Sequence, residues 1–195
     1  TGNIATGKST VARFLQEWGA AVIDSDQLAR EAMAPGGLAY EAVVEAFGPG
    51  ILRSDGTIDR PRLARIVFSD PEQLRRLEAI VHPAVAALRR RKMEGLQAPV
   101  VVFEAVKLVE AGAHRDCHQL WLVVSSEAQQ LQRLLAKGWS EEEARLRLQA
   151  QPPVEPKLAL ADVVLRNDGT LEELRAQAWA AWERLWKEGL ISPSH

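Results

Sequence analysis

The chain has 195 residues, of which 47% are hydrophobic and 26% charged, with a net charge of −2. That length supports one sizeable core with room for an inserted subdomain. The balanced charge gives no support to a nucleic-acid or membrane surface, and no apolar run approaches the roughly 20 residues that span a bilayer. Cys117 is the single cysteine, so no internal disulfide can form, which fits a reducing, cytoplasmic setting.

The chain opens on Gly2-Asn3-Ile4-Ala5-Thr6-Gly7-Lys8-Ser9, which is G-x-x-x-x-G-K-S without a departure, the loop that cradles nucleotide phosphates. Gly2 and Gly7 permit the tight turn that aims backbone N–H groups inward. Lys8 reaches the outer phosphates as a point charge, Ser9 offers a hydroxyl to Mg²⁺, and the following helix directs its positive end at the same anion. Val11, Ala12, Phe14 and Leu15 give that helix an apolar face. A phosphate loop normally follows a buried strand, so the reading expects an apolar strand ahead of Thr1 that this chain lacks.

Ala21-Val22-Ile23 reads as a short buried strand ending in Asp24-Ser25-Asp26. In a parallel α/β sheet ligands sit beyond the carboxyl ends of strands. Alternate spacing along an extended backbone would point both carboxylates the same way. Ser25 or Asp26 also suits the cap of a helix beginning near Gln27.

From Gln27 to about Met93 the pattern is mostly helical, too long for an ordinary crossover, and is read as an insertion binding the second substrate. Ile51-Leu52 and Thr57-Ile58 are expected to pair as a small hairpin. Asp70 starts a helix with a capping-box partner at Gln73, and His82-Pro83 is expected to interrupt it. Arg89 to Lys92 is a basic run, read as a solvated helix face rather than a phosphate site. Two further strands, Pro99–Phe103 and Leu120–Val124, look buried and apolar throughout. His114, Cys117 and His118 lack the second ligand pair a zinc site needs. Helices from Glu127 and Glu141, with Arg133, Lys137, Arg145 and Arg147, suit a lid over phosphates or a surface helical hairpin. Ala161–Leu165 is the last strand, before a closing helix capped by Thr170 and Glu173.

Loop, strand-end carboxylate, insertion and basic lid together describe a small-molecule kinase. A GTPase is disfavoured because no N-K-x-D segment is present. A motor-type ATPase is disfavoured because no apolar strand ends in a clear metal-binding Asp; Glu104 is the nearest substitute.

The sequence resembles the dephospho-coenzyme A kinase family over nearly its whole length. The resemblance rests on Gly2–Thr10, on Val22-Ile23-Asp24-Ser25-Asp26 with Ala29-Arg30, and on Ile58-Asp59-Arg60. It continues through Leu77-Glu78, His82-Pro83, Gln130–Arg133, Arg147 with Gln151, and Ala161-Asp162 with Asn167. It implies a three-layer α/β/α phosphate-loop fold with a mostly parallel five-stranded sheet, its first strand missing here. Within one domain over 1–195 it implies a helical substrate subdomain at 27–95 and a lid at 133–156. The implied reaction is ATP- and Mg²⁺-dependent phosphorylation of the ribose 3′-hydroxyl of dephospho-CoA. By the resemblance Asp26 is the base, Lys8 and Arg133 the catalytic cations, Ala5, Thr6, Gly7, Lys8, Ser9 and Thr10 the ATP segment, Ser9 the metal ligand, and His82 part of the substrate site. A monomer or weak homo-oligomer in the cytoplasm is implied. Departures are Val106-Lys107 where the family has Pro-Leu, Lys137 for Arg, and Ala5 for Gly. The alternatives are another phosphate-loop kinase, acting on a nucleoside monophosphate or small alcohol, and a non-catalytic nucleotide-binding paralogue.

Overall fold

A computed structural model describes residues 1–189. The chain divides into two compact units, 1–22 with 97–195, and 23–96.

The first unit is built on short parallel strands and the helices that cover them. Helix α1 (Lys8–Glu17) buries Val11, Ala12, Phe14 and Leu15, the expected face. Strand β1 (Ala21–Asp24) is bonded to β2 (Val101–Glu104), and β3 (Trp121–Val124) runs parallel to β4 (Val163–Arg166) in the register Trp121 to Val163. Thr1 lies along β3: the Val123 N–H donates to its carbonyl at 2.9 Å. The Thr1 hydroxyl in turn donates to the Ala105 carbonyl just past β2, at 2.8 Å. Strand β2 is half-buried throughout rather than fully buried. Among the described strands its ladder neighbour is β1.

Helices α6 (Glu127–Ala136), α7 (Glu141–Gln149), α8 (Glu155–Leu160) and α9 (Leu171–Lys187) complete this unit. Two of the three expected capping boxes, Ser140 with Glu143 and Thr170 with Glu173, are present; Asp70 caps its helix through the Glu72 N–H instead of forming a box with Gln73. Its core joins α1, β3, β4 and α9 through Phe14, Leu15, Val123, Leu165, Leu174, Ala178 and Trp182. Trp18 meets Trp179 edge-on at 4.9 Å between centroids and Trp182 at 6.2 Å, while Trp186 packs edge-on to Trp182. The Arg175 guanidinium sits over the rings of Phe14 and Trp18 and pairs with Glu17 at 2.8 Å.

The second unit is helical: α2 (Ser25–Ala32), α3 (Tyr40–Phe47), α4 (Arg60–Ser69) and α5 (Pro71–Glu94). Its own core contains Ala32, Val43, Ile51, Ile58, Leu63, Val67, Val81 and Ala84. The expected hairpin reduces to one antiparallel bridge, Leu52 to Ile58. Asp70 caps α5 through the Glu72 N–H at 2.8 Å. Pro83 does not end α5, which continues through it to Glu94. An interior proline costs roughly 3 kcal/mol. Here Val81 and Ala84 are buried on either side of it, and the helix is held against α2, α3 and α4 along its length. In the basic run Arg90, Arg91 and Lys92 are exposed as expected while Arg89 is half-buried, and Lys92 pairs with Glu31 at 3.0 Å.

Among the described residues no helix is long and apolar enough to cross a membrane, and no cluster of His, Cys, Asp and Glu could hold a metal.

Candidate active site

The loop before α1 has the backbone its sequence demands. Ala5 sits at φ 56° and Gly7 at φ 101°, left-handed conformations whose alternation with ordinary residues turns successive N–H groups toward one concavity. A side chain at Gly2, φ 150°, would run into the Val123 carbonyl, and one at Gly7 into the Asn167 amide. Glycine is therefore required twice, once for the approach to β3 and once for the approach to Asn167. Gly7 caps α1 with no side-chain hydrogen bond to the first turn, and its carbonyl accepts from the Thr10 and Val11 N–H groups. A concave row of donors, a helix N-terminus, a lysine and an exposed Ser9 hydroxyl suit a magnesium-bound polyphosphate.

Four polar side chains hold this loop from outside. The buried Asn167 amide donates to the Thr6 carbonyl at 2.7 Å. Arg133 donates to the Ala5 carbonyl at 3.1 Å, the Thr6 carbonyl at 3.4 Å, the Ser125 hydroxyl at 3.0 Å and the Asn167 carbonyl at 2.6 Å. The Gln151 side chain accepts from the Ile4 N–H at 2.9 Å. Lys157 donates to the Asn3 side chain at 3.1 Å. Within the loop, the Lys8 ammonium donates to the Asn3 carbonyl at 2.8 Å, which also accepts from the Thr6 hydroxyl. Arg133 thus lies against the phosphate loop together with Ala5 to Thr10. Helix α7 ends at Gln149, and the Gln151 amide bonds back to the Arg147 carbonyl while serving the loop.

The other basic residues expected in a lid have these contacts. Arg145 pairs with Glu141 at 2.7 Å, the Arg147 guanidinium stacks over Trp139 at 5.3 Å, and Lys137 is exposed at the end of α6.

Asp26 and His82 lie in the helical unit. Asp24, not Ser25 or Asp26, caps α2, accepting from the Asp26 N–H at 2.8 Å and the Gln27 N–H at 3.3 Å. The helix therefore starts at Ser25, earlier than expected, and Asp24 and Asp26 do not share an extended backbone. Asp26 is exposed in the first turn of α2, where a helix N-terminus favours a carboxylate. Burial and then the neighbouring Arg30 pull the Arg60 guanidinium below its usual value, and Asp26 acts in the opposite sense. Asp26, Arg30 and Arg60 thus form one charged group. His82 is half-buried in the middle of α5.

Sequence reading did not single out Asn3, Ser125 or Lys157. Asn167 and Gln151 entered only as matched positions, although an Asn after a strand and a Gln after a helix were visible. Lys157 gives no signal: a lysine in a Pro-rich polar stretch reads as surface.

Gly7→Ala places the new methyl where the Asn167 amide stands. We expect it to lower stability by about 1–3 kcal/mol, the cost of a strained left-handed residue, and to weaken ATP binding in the same variant. Denaturant melts and an ATP titration measure the two effects.

A polyphosphate cradle between β3 and α1, within an α/β sheet, defines a phosphate-loop nucleotide-binding protein of the kinase class. A family model described as dephospho-CoA kinase matches residues 1–173. A dephospho-CoA kinase of Geobacter sulfurreducens is 47% identical over 188 residues, covering 94% of this chain and 95% of the relative. A crystal structure from Thermus thermophilus aligns with a TM-score of 0.81 at 40% identity, covering 94% of each chain. A dephospho-CoA kinase from Campylobacter jejuni aligns with a TM-score of 0.68 at 25% identity over 96% of each. The chain belongs to the dephospho-CoA kinase family.

Proposed function

We propose that the protein transfers the γ-phosphoryl group of ATP to the ribose 3′-hydroxyl of dephospho-CoA, yielding coenzyme A and ADP. The observation that carries this reading is the phosphate loop with its left-handed Ala5 and Gly7, in a chain matched over residues 1–173 by the family. Phosphoryl transfer asks a protein chiefly for positioning and charge neutralisation. The loop N–H groups hold the donor phosphates, and Lys8 exchanges the Asn3 carbonyl for an outer phosphate oxygen. Ser9 is the protein's ligand for Mg²⁺. Held there, the ion would offset the negative charge of the donor phosphates. Arg133, held beside the loop, stabilises charge on the transferred group. Asp26 accepts the proton of the attacking hydroxyl as the new O–P bond forms and the bond to ADP breaks. The helical unit, with His82, Arg30 and Arg60, takes the acceptor. The helices between 133 and 156 close over the phosphates.

A coupled ADP-release assay with dephospho-CoA, nucleoside monophosphates and small alcohols as acceptors tests the reading. Turnover with dephospho-CoA alone is expected. Preferred turnover with a nucleoside monophosphate would move the protein to another kinase class, and ATP binding without turnover on any acceptor would make it a regulator.

A further inference from the structure

The least expected buried group in the larger unit is Lys157. It is 1% exposed, on the short helix α8, in a stretch whose neighbours Leu158 and Leu160 face solvent. An ammonium withdrawn from water must have each N–H satisfied and its charge offset. Both requirements are met by three named partners. The Nζ donates to the Asn3 side-chain oxygen at 3.1 Å and the Val106 carbonyl at 3.0 Å, and pairs with the more exposed Glu110 carboxylate at 3.1 Å.

Those partners come from two places that matter to the site. Val106 and Glu110 belong to the segment after β2. Asn3 is the second residue of the phosphate loop, and every polar atom of its side chain is engaged: its amide nitrogen donates to the Pro152 carbonyl at 3.2 Å. Its backbone carbonyl is the acceptor that Lys8 and Thr6 use. The orientation of Asn3 therefore sets where the catalytic ammonium rests and where the Thr6 hydroxyl is fixed, and the orientation of its side chain is set by Lys157 and Pro152. A lysine buried only to hold α8 would need no partner in the loop.

We infer that Lys157 is a positioning residue for ATP: through Asn3 it holds the phosphate loop and the Lys8 ammonium in their receptive geometry, without itself touching the nucleotide. The inference rests on the reading of this loop as the ATP site, and not on the identity of the acceptor.

The test is an equilibrium titration of ATP with Mg²⁺, without acceptor, on the wild type, Lys157→Met, Asn3→Ala and the double variant. Steady-state KM values for ATP and for dephospho-CoA are measured alongside. Methionine nearly conserves volume, so the packing of α8 is kept. Displacing a positioned group by about an ångström can cost on the order of 10²-fold. Each single variant is expected to weaken ATP binding by about tenfold to a hundredfold. The double variant should bind no more weakly than the worse single one, and the KM for dephospho-CoA should stay unchanged. ATP affinity within twofold of wild type in a folded Lys157→Met protein would overturn the inference. So would additive losses in the double variant. Should Lys157→Met fail to fold, Asn3→Ala decides alone, and unchanged ATP affinity there rejects the idea. A wild type that binds ATP but leaves dephospho-CoA unphosphorylated overturns the proposed reaction while this inference stands.

Discussion

Lys8→Met is expected to lower kcat by about 10²–10³-fold, the loss typical of removing one preorganised donor aimed at developing charge. The lysine follows Gly7 directly, so the left-handed turn fixes where its stem begins. In the present structure its ammonium rests 2.8 Å from the Asn3 carbonyl, within the loop itself. Exchanging that carbonyl for a phosphate oxygen is a short move between two acceptors, and the second carries far more negative charge. Methionine copies the stem and removes the charge, so folding should survive while transfer fails. Arginine keeps the charge but replaces a compact point donor by a wide planar fork. It should restore little, and a Lys8→Arg protein with near-normal turnover would argue that the lysine supplies only bulk field. Single-turnover measurement with saturating ATP separates the chemical step from weakened binding.

Asp26→Asn should reduce turnover by about 10²–10⁴-fold while ATP still binds, because amide and carboxylate are nearly isosteric and only the latter takes a proton at neutral pH. Asp24 supplies the contrast. Its carboxylate accepts two N–H bonds at the start of α2, so Asp24→Ala should cost about 0.5–2 kcal/mol of stability, as lost helix caps do. The two changes lie two residues apart and separate a structural carboxylate from a chemical one. Near-normal kcat in Asp26→Asn, measured with both substrates saturating, would remove Asp26 from the role of base.

The phosphate loop was legible because every residue in it is chosen by a backbone or charge requirement that leaves a sequence trace. The capping boxes at Ser140 and Thr170 were legible for the same reason, since each is a local pairing over three residues. Where the reading failed, distant packing had decided. The helix α5 passes through Pro83 because its buried face outweighs a missing donor. The burial of β2 is set by what packs against it from elsewhere in the chain, a relation no window of sequence contains. The cap of α2 moved by only a residue or two, from Ser25 or Asp26 to Asp24. Asn3 and Lys157 were missed, and Asn167 entered only as a matched position, for another reason: they hold the loop across separations in sequence of 161 and 154 residues, and nothing nearby marks either end.

All six tryptophans, at 18, 121, 139, 179, 182 and 186, fall in the unit formed by 1–22 and 97–195, while the single tyrosine, Tyr40, falls in the other. Indole emission excited at long wavelength therefore sees one half of the molecule and is blind to the other. Set beside far-ultraviolet dichroism, to which the helical half contributes strongly, it turns an ordinary melt into a two-channel recording. A lag between the channels would show the halves coming apart in separate steps, with no dye or label attached.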